Sequence, residues 1–293
     1  MMDHKAYHGE IKIGEFDDLI KVIRFLMSKQ EFIFRGQSNA KWQITSSLER
    51  AKLSQGNNSL EDWILIEFKQ NIRCYSDLEV DSANNLDCLM AIQHYGGPTR
   101  LVDFTASFPI ALFFALDGMS NGGNSCVHVL NPVQINQPKY DRRSEDFLNT
   151  AVLNKPHEAG VLVCYPRHRH SRLAAQQGLF VVPLDRQKSF MENLTEACML
   201  GPAALTSDVT RQAIDIENLH HSGLISLPYV KILISSSVQQ EAWEFLLSVN
   251  LTHRTMFPGF EGFCRSLILQ RWELWNTIRR VIDTDGAQSS SSV

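Results

Sequence analysis

Six of the 293 residues are cysteine, at positions 74, 88, 126, 164, 198 and 264, and no two form a CxxC pair. That scarcity argues against zinc ribbons and thioredoxin-type dithiols. A disulfide framework is uncommon in a chain of this length, so the thiols point to a reducing compartment, the cytoplasm. Long apolar runs are equally scarce: the longest, Phe108 to Leu116 (FPIALFFAL), stops at Asp117 and Gly118, well short of a bilayer span, and no membrane association is expected. The opening MMDHKAYHGE has neither a basic nor an apolar stretch, which gives no expectation of a signal peptide. Charge of one sign is also lacking. With 28 basic and 32 acidic residues the net charge is −4, so no global basic field draws the chain to nucleic acid. The sequence contains no P-loop, G-x-G-x-x-G, H-E-x-x-H or G-x-S-x-G, which argues against the common NTPases, Rossmann oxidoreductases, zincins and α/β-hydrolases. None of the ten histidines has a cysteine or acid at a zinc-ligand spacing, and no metal is expected.

What is present is an ordinary globular composition, 44% hydrophobic and 20% charged. No repeat or Pro/Gly-rich linker divides it, so one domain is expected over residues 1–283, with a disordered tail over 284–293 that ends in SSSSV. Apolar periodicity predicts helices over Phe16 to Met27, from Trp63 toward Cys74, from Leu86 to His94, after Ser107, near Phe190 to Met199, from Val238 to Val249 and from Phe260 to Ile282. Short apolar runs predict strands at Phe32 to Arg35, Leu101 to Phe104, Cys126 to Leu130, Val161 to Tyr165, Leu179 to Leu184 and Val230 to Ile234. Strands scattered among helices imply a mixed α+β domain.

Two segments carry chemistry. The first, QHYGGPTRLVDFTAS from Gln93 to Ser107, sets His94, Tyr95, Thr99, Arg100, Asp103, Thr105 and Ser107 around a Gly-Gly-Pro turn. Such a turn lets backbone approach a ligand. A purely structural reading is an Arg100–Asp103 salt bridge, with Thr105 and Ser107 capping the next helix. The second is Phe34-Arg35-Gly36-Gln37. An arginine leaving a strand ahead of a glycine suits a guanidinium reaching phosphate or carboxylate, with the glycine clearing space. Its structural reading is a buried arginine paired with an acid such as Asp103. The run Arg167-His168-Arg169-His170 reads more simply as a solvated loop.

Taken in order, Phe34-Arg35-Gly36, then QHYGGPTRLVDFTASFPIALFFA, then SRLAAQQGLF, then TMFPGFEGFCRSL resemble the FRG domain, a family named for its Phe/Tyr-Arg-Gly motif and found mostly in bacteria and their mobile elements. The resemblance covers roughly residues 10–280, with Gly97, Val102, Phe104 and Gly259 standing where the family more often has Leu, Leu, Trp and Asp.

The order of parts is also similar, more distantly, to the ADP-ribosyltransferase architecture. That similarity implies a mixed, split β-sheet with flanking helices folded around NAD as substrate, with no cofactor required. It makes Arg35, His94, Asp103 and Glu261 the catalytic candidates and Gly36, Tyr95, Thr99, Arg100, Thr105 and Gln177 the ligand-binding ones. Arg35 and Arg100 would grip phosphate or ribose, Tyr95 would stack a ring, His94 and Thr105 would orient the ribose, and Gln177 would position it. Asp103 or Glu261 would stabilise the cationic sugar as the base leaves. The implied activity is ADP-ribosyl transfer to a protein or nucleic-acid target, or NAD hydrolysis, in a bacterial toxin or antiviral defence setting. The alternative is a non-catalytic module that senses a nucleotide or phosphorylated ligand and signals to a partner.

Overall fold

The computed structural model of the protein describes residues 8–29, 32–51, 60–75, 80–118, 123–135, 159–166, 170–198 and 211–267. Strand β1 (His8–Ile13) leads into α1 (Phe16–Met27), β2 (Ile33–Gln37) and three helices, α2 (Ser47–Arg50), α3 (Leu60–Tyr75) and α4 (Asn85–His94). Then come β3 (Val102–Thr105), α5 (Phe108–Leu116), β4 (Ser125–Leu130), β5 (Val161–Cys164), α6 (Ser171–Ala175), β6 (Gly178–Pro183) and α7 (Phe190–Cys198). The last part comprises β7 (Arg211–Ala213), β8 (Tyr229–Ile234), α8 (Ser236–Ser248), α9 (His253–Met256) and the helical residues 260–267. The predicted tail, the Arg167–Arg169 loop and the final helix beyond 267 lie outside the described residues.

The eight strands form a single mixed sheet in the order β5-β6-β3-β2-β4-β8-β1-β7. β1 runs parallel to β7 and β8, and every other pairing is antiparallel. The mixed α+β class is therefore as expected, but the sheet is not split. β2 and β3 hold it together through one backbone pair, Phe34 with Thr105. By contrast β2 makes five pairs with β4, and β3 makes four with β6. The sheet is continuous, and its thinnest seam lies between β2 and β3.

Side-chain alternation divides the apolar residues between the two faces. Phe34, Val127, Val129 and Ile232 pack under α1, α5 and α8. Ile33, Val102, Phe104, Leu130, Leu179 and Val181 face α7. Phe180, Val182, Leu162 and Cys164 pack under α3, α4 and α6. Helix α5 is apolar all round because it is enclosed: seven of its nine residues are buried. Gly36 explains how closely it docks, since a Cβ there would strike the Ala111 carbonyl and the Ala115 amide. Gly36 lines the cavity at this seam as expected, but the space its missing side chain clears is taken by helix α5 and not by a ligand.

Local chemistry sets the helix ends beside the seam. Asn84 caps α4 through the amides of Leu86 and Asp87, and Ser46 with Glu49 forms a capping box on α2. Ser107 occupies the cap position of α5 without a side-chain capping bond; its amide instead donates to Thr105 Oγ1.

Candidate functional site

The seam opens into a cavity of about 740 Å³, within the size range of small-molecule sites. β2 and the chain after it supply Arg35, Gln37, Trp42, Gln43 and Arg50; β3 supplies Asp103 and Thr105; α4 supplies Gln93 and His94; α6 and its cap supply His170 and Arg172. Arg35, His94, Asp103 and Thr105 were expected to share a site, and the structure places all four on this cavity's wall.

Arg35 is half-buried. Its NH1 donates 2.6 Å to the main-chain carbonyl of Asp103, while its Nε is buried with no hydrogen-bond partner among the described residues. Burial pulls the guanidinium below its ordinary value, and the Asp103 charge opposes that pull. The Asp103 carboxylate is exposed to the cavity and accepts from Gln93 Nε2 at 2.7 Å. The Gln93 amide is held in turn, because its Oε1 accepts from Thr99 Oγ1. Asp103 is the sole acid lining the cavity among the described residues, against three arginines and two histidines.

Opposite Arg35, the imidazoles of His94 and His170 stand with ring centroids 4.0 Å apart. His170 Nδ1 accepts the Leu173 amide and so caps α6. Burial first, then the Arg172 charge, lowers the His94 pKa, while Glu261 raises it. Burial, His94 and Arg172 lower that of His170. The Arg172 guanidinium lies 4.8 Å from the centroid of Phe257 and pairs with Glu261 at 3.2 Å.

Beneath Arg35, on the neighbouring strand, His128 is buried in a polar chain. Its Nδ1 lies 2.7 Å from the Tyr229 hydroxyl and its Nε2 2.6 Å from Gln37 Oε1. Because Gln37 Nε2 donates to the Gln43 carbonyl, Oε1 is left to accept. The His128 proton therefore sits on Nε2, and Tyr229 donates to Nδ1. Burial lowers the His128 pKa to about 3, keeping it neutral.

Six expectations need correction. Arg100 does not grip a ligand and does not pair with Asp103: it is 4% exposed, and its Nε donates 2.6 Å to Glu61 inside the core. Thr99 is fully buried, spent on Gln93 and on the Leu101 amide. Thr105 lines the cavity, yet its hydroxyl donates to the Gln176 carbonyl and accepts from Ser107, leaving no proton to orient a ribose. Tyr95, 66% exposed at the end of α4, is not on the cavity wall. Gln177 is also off the wall; it adopts φ 46° and offers its carbonyl to the Ala106 amide. Glu261 stands outside the lining, between Arg172 and Arg265. The sequence reading missed Trp42, 56% exposed on the wall. A tryptophan between Lys41 and Gln43 in a polar stretch was the available signal. Arg50 and Arg172 were missed as well, each in a helix of four or five residues.

The geometry defines a basic, aromatic-edged cleft at a sheet seam. Residues 30–123, from the approach to Arg35 through α5, match the family model described as the FRG domain. This span is narrower than the resemblance carried by the sequence motifs, and β6, α6 and the Glu261 segment fall outside it. No curated protein and no solved structure matches the chain. No helix among the described residues is long and apolar enough to cross a membrane.

Proposed function

We propose that the protein binds a phosphorylated nucleotide in this cavity and cleaves or transfers at its N-glycosidic bond, with nicotinamide dinucleotides as the substrate class. The observation that carries this reading is the meeting of Arg35 and Asp103 in a cavity whose other charged lining, Arg50, Arg172, His94 and His170, is basic. Arg35 and Arg50, both on the wall, take phosphate; Trp42 stacks the base.

Departure of the base breaks the bond from ribose C1′ to nitrogen. The electron pair leaves with the base, and for nicotinamide it neutralises the ring charge. Positive charge builds on the ribose, and the Asp103 carboxylate, aimed by Gln93, offsets it. Water or a hydroxyl of a macromolecular target then bonds to C1′ and gives its proton to Asp103. In a bacterial defence or toxin setting, such turnover would deplete the nucleotide or mark the target.

A second reading, a sensor without turnover, is favoured by Arg172. One guanidinium both lines the cavity and holds Glu261 and Phe257, which couples ligand to the segment 253–267.

Incubation with NAD separates the two. Nicotinamide release that Asp103→Asn abolishes while NAD still raises the melting temperature supports the enzyme. Stabilisation by NAD that Arg35→Ala removes, without release, supports the sensor. Neither release nor stabilisation overturns both.

A further inference from the structure

The basic groups of the cavity fall into two sets on opposite sides of the β2–β3 seam. Alternation along β2 puts Arg35 on the same face as Ile33, whose apolar cluster also contains Ile44 from the chain leading to Arg50. Alternation along β3 puts Val102 and Phe104 in that same cluster and turns Asp103 to the other face, toward Gln93 and His94 on α4. Arg35 lies within reach of the Asp103 and Arg50 charges, whereas His94 lies within reach of Arg172 and Glu261, and His170 of Arg172. The Arg35 set and the histidine set share no member. A ligand that engages both sets therefore reaches across the seam.

We propose that the ligand carries two separated phosphate groups, one held by Arg35 and Arg50, the second by His94, His170 and Arg172. This rests on the reading that the cavity takes a phosphorylated nucleotide, and it narrows the class to nucleotides phosphorylated at two positions. Among nicotinamide dinucleotides it selects the form bearing a phosphate apart from the diphosphate bridge.

The second subsite differs in kind from the first. Its fixed positive charge is one guanidinium, already shared with Glu261. Its other two members are imidazoles held below their ordinary value of 6.5 by burial and by the charge beside them. A phosphate monoester is close to dianionic at neutral pH, and placed there it favours the imidazolium. Binding at this subsite therefore takes up a proton, whereas binding at Arg35 and Arg50 does not. The Nδ1 of His170 is committed to the Leu173 amide, so its Nε2 is the atom that meets the phosphate.

The test is calorimetric titration of the full chain with adenosine 5′-monophosphate, adenosine 5′-diphosphate and adenosine 3′,5′-bisphosphate near pH 7, in two buffers of different ionisation enthalpy. The bisphosphate is expected to bind about tenfold or more tighter than either other probe, a difference of about 1.4 kcal/mol, with uptake of about one proton. His170→Asn keeps a side chain able to cap α6 and should erase both the advantage and the uptake. Equal affinity for all three probes, with all lost in Arg35→Ala, overturns the second subsite and leaves the nucleotide reading standing. No binding of any probe overturns both.

Discussion

The Arg35 guanidinium reaches the main-chain oxygen of Asp103, 68 positions later in sequence, rather than its carboxylate. That choice leaves the Asp103 carboxylate to Gln93 and the cavity. The arginine thus closes the weak side of the β2–β3 seam while its side chain also lines the cavity.

Arg35→Ala is expected to cost stability as well as binding. The Asp103 carbonyl loses its donor at the one-pair seam, a loss of about 1–3 kcal/mol, and stabilisation by nucleotide disappears. Chemical denaturation with and without NAD checks both. A variant as stable as the parent places the seam's strength elsewhere.

Gly36→Ala tests fold rather than ligand. The added methyl meets the backbone of α5, which cannot move aside as a flexible side chain could. A loss of about 2–4 kcal/mol is expected from forced backbone displacement, measured as the shift of the urea midpoint. An unchanged midpoint removes the account of the Arg-Gly pair given above.

Arg100 and Glu61 form a buried pair, with side-chain exposures of 5% and 3%. Arg186 approaches the same carboxylate at 3.9 Å and pairs with Asp62 at 2.9 Å. Glu61→Ala leaves charge uncompensated in the core and should cost about 3–5 kcal/mol. The double change Glu61→Leu with Arg100→Met should recover much of that. If the double variant is no more stable than Glu61→Ala, the penalty is not one of unpaired charge.

His128 should stay neutral well into acid. Its folded pKa is lowered to about 3, so the stability this neutral imidazole provides is complete above its ordinary 6.5 and drains away as pH falls from there toward the folded value, by about 1.4 kcal/mol per unit. Nitrogen-15 spectra should show no His128 titration down to about pH 4.5 while the protein stays folded. A midpoint near 6.5 contradicts the buried Tyr229–His128–Gln37 chain.

Trp42→Ala should weaken nucleotide binding by about 1–3 kcal/mol, the range for a lost base stack, whereas Tyr95→Ala should change it far less. Fluorescence quenching or calorimetry decides. The opposite ranking returns the stacking role to Tyr95.

Much of this protein was legible from order and spacing. The 3.6-residue periodicity marked α1, the Gly96-Gly97-Pro98 stop marked the end of α4, and the enclosed run FPIALFFAL marked α5, because local pattern and burial agree in each. β1 and the three-residue β7 went unread: HGEIKI mixes charge with apolar residues, and β1 owes its place to parallel pairing with β8, which sequence does not display. The same division runs through the site. The resemblance carried by the sequence motifs grouped Arg35, His94 and Asp103, while the residues by themselves left a purely structural use open for Arg35 and Asp103. Only the tertiary structure settled which charges are spent: Arg100 met Glu61 from a helix 39 residues earlier, Glu261 met Arg172, and Trp42 came to the wall. Ion pairing is decided by distance in space, and a linear pattern carries no record of it.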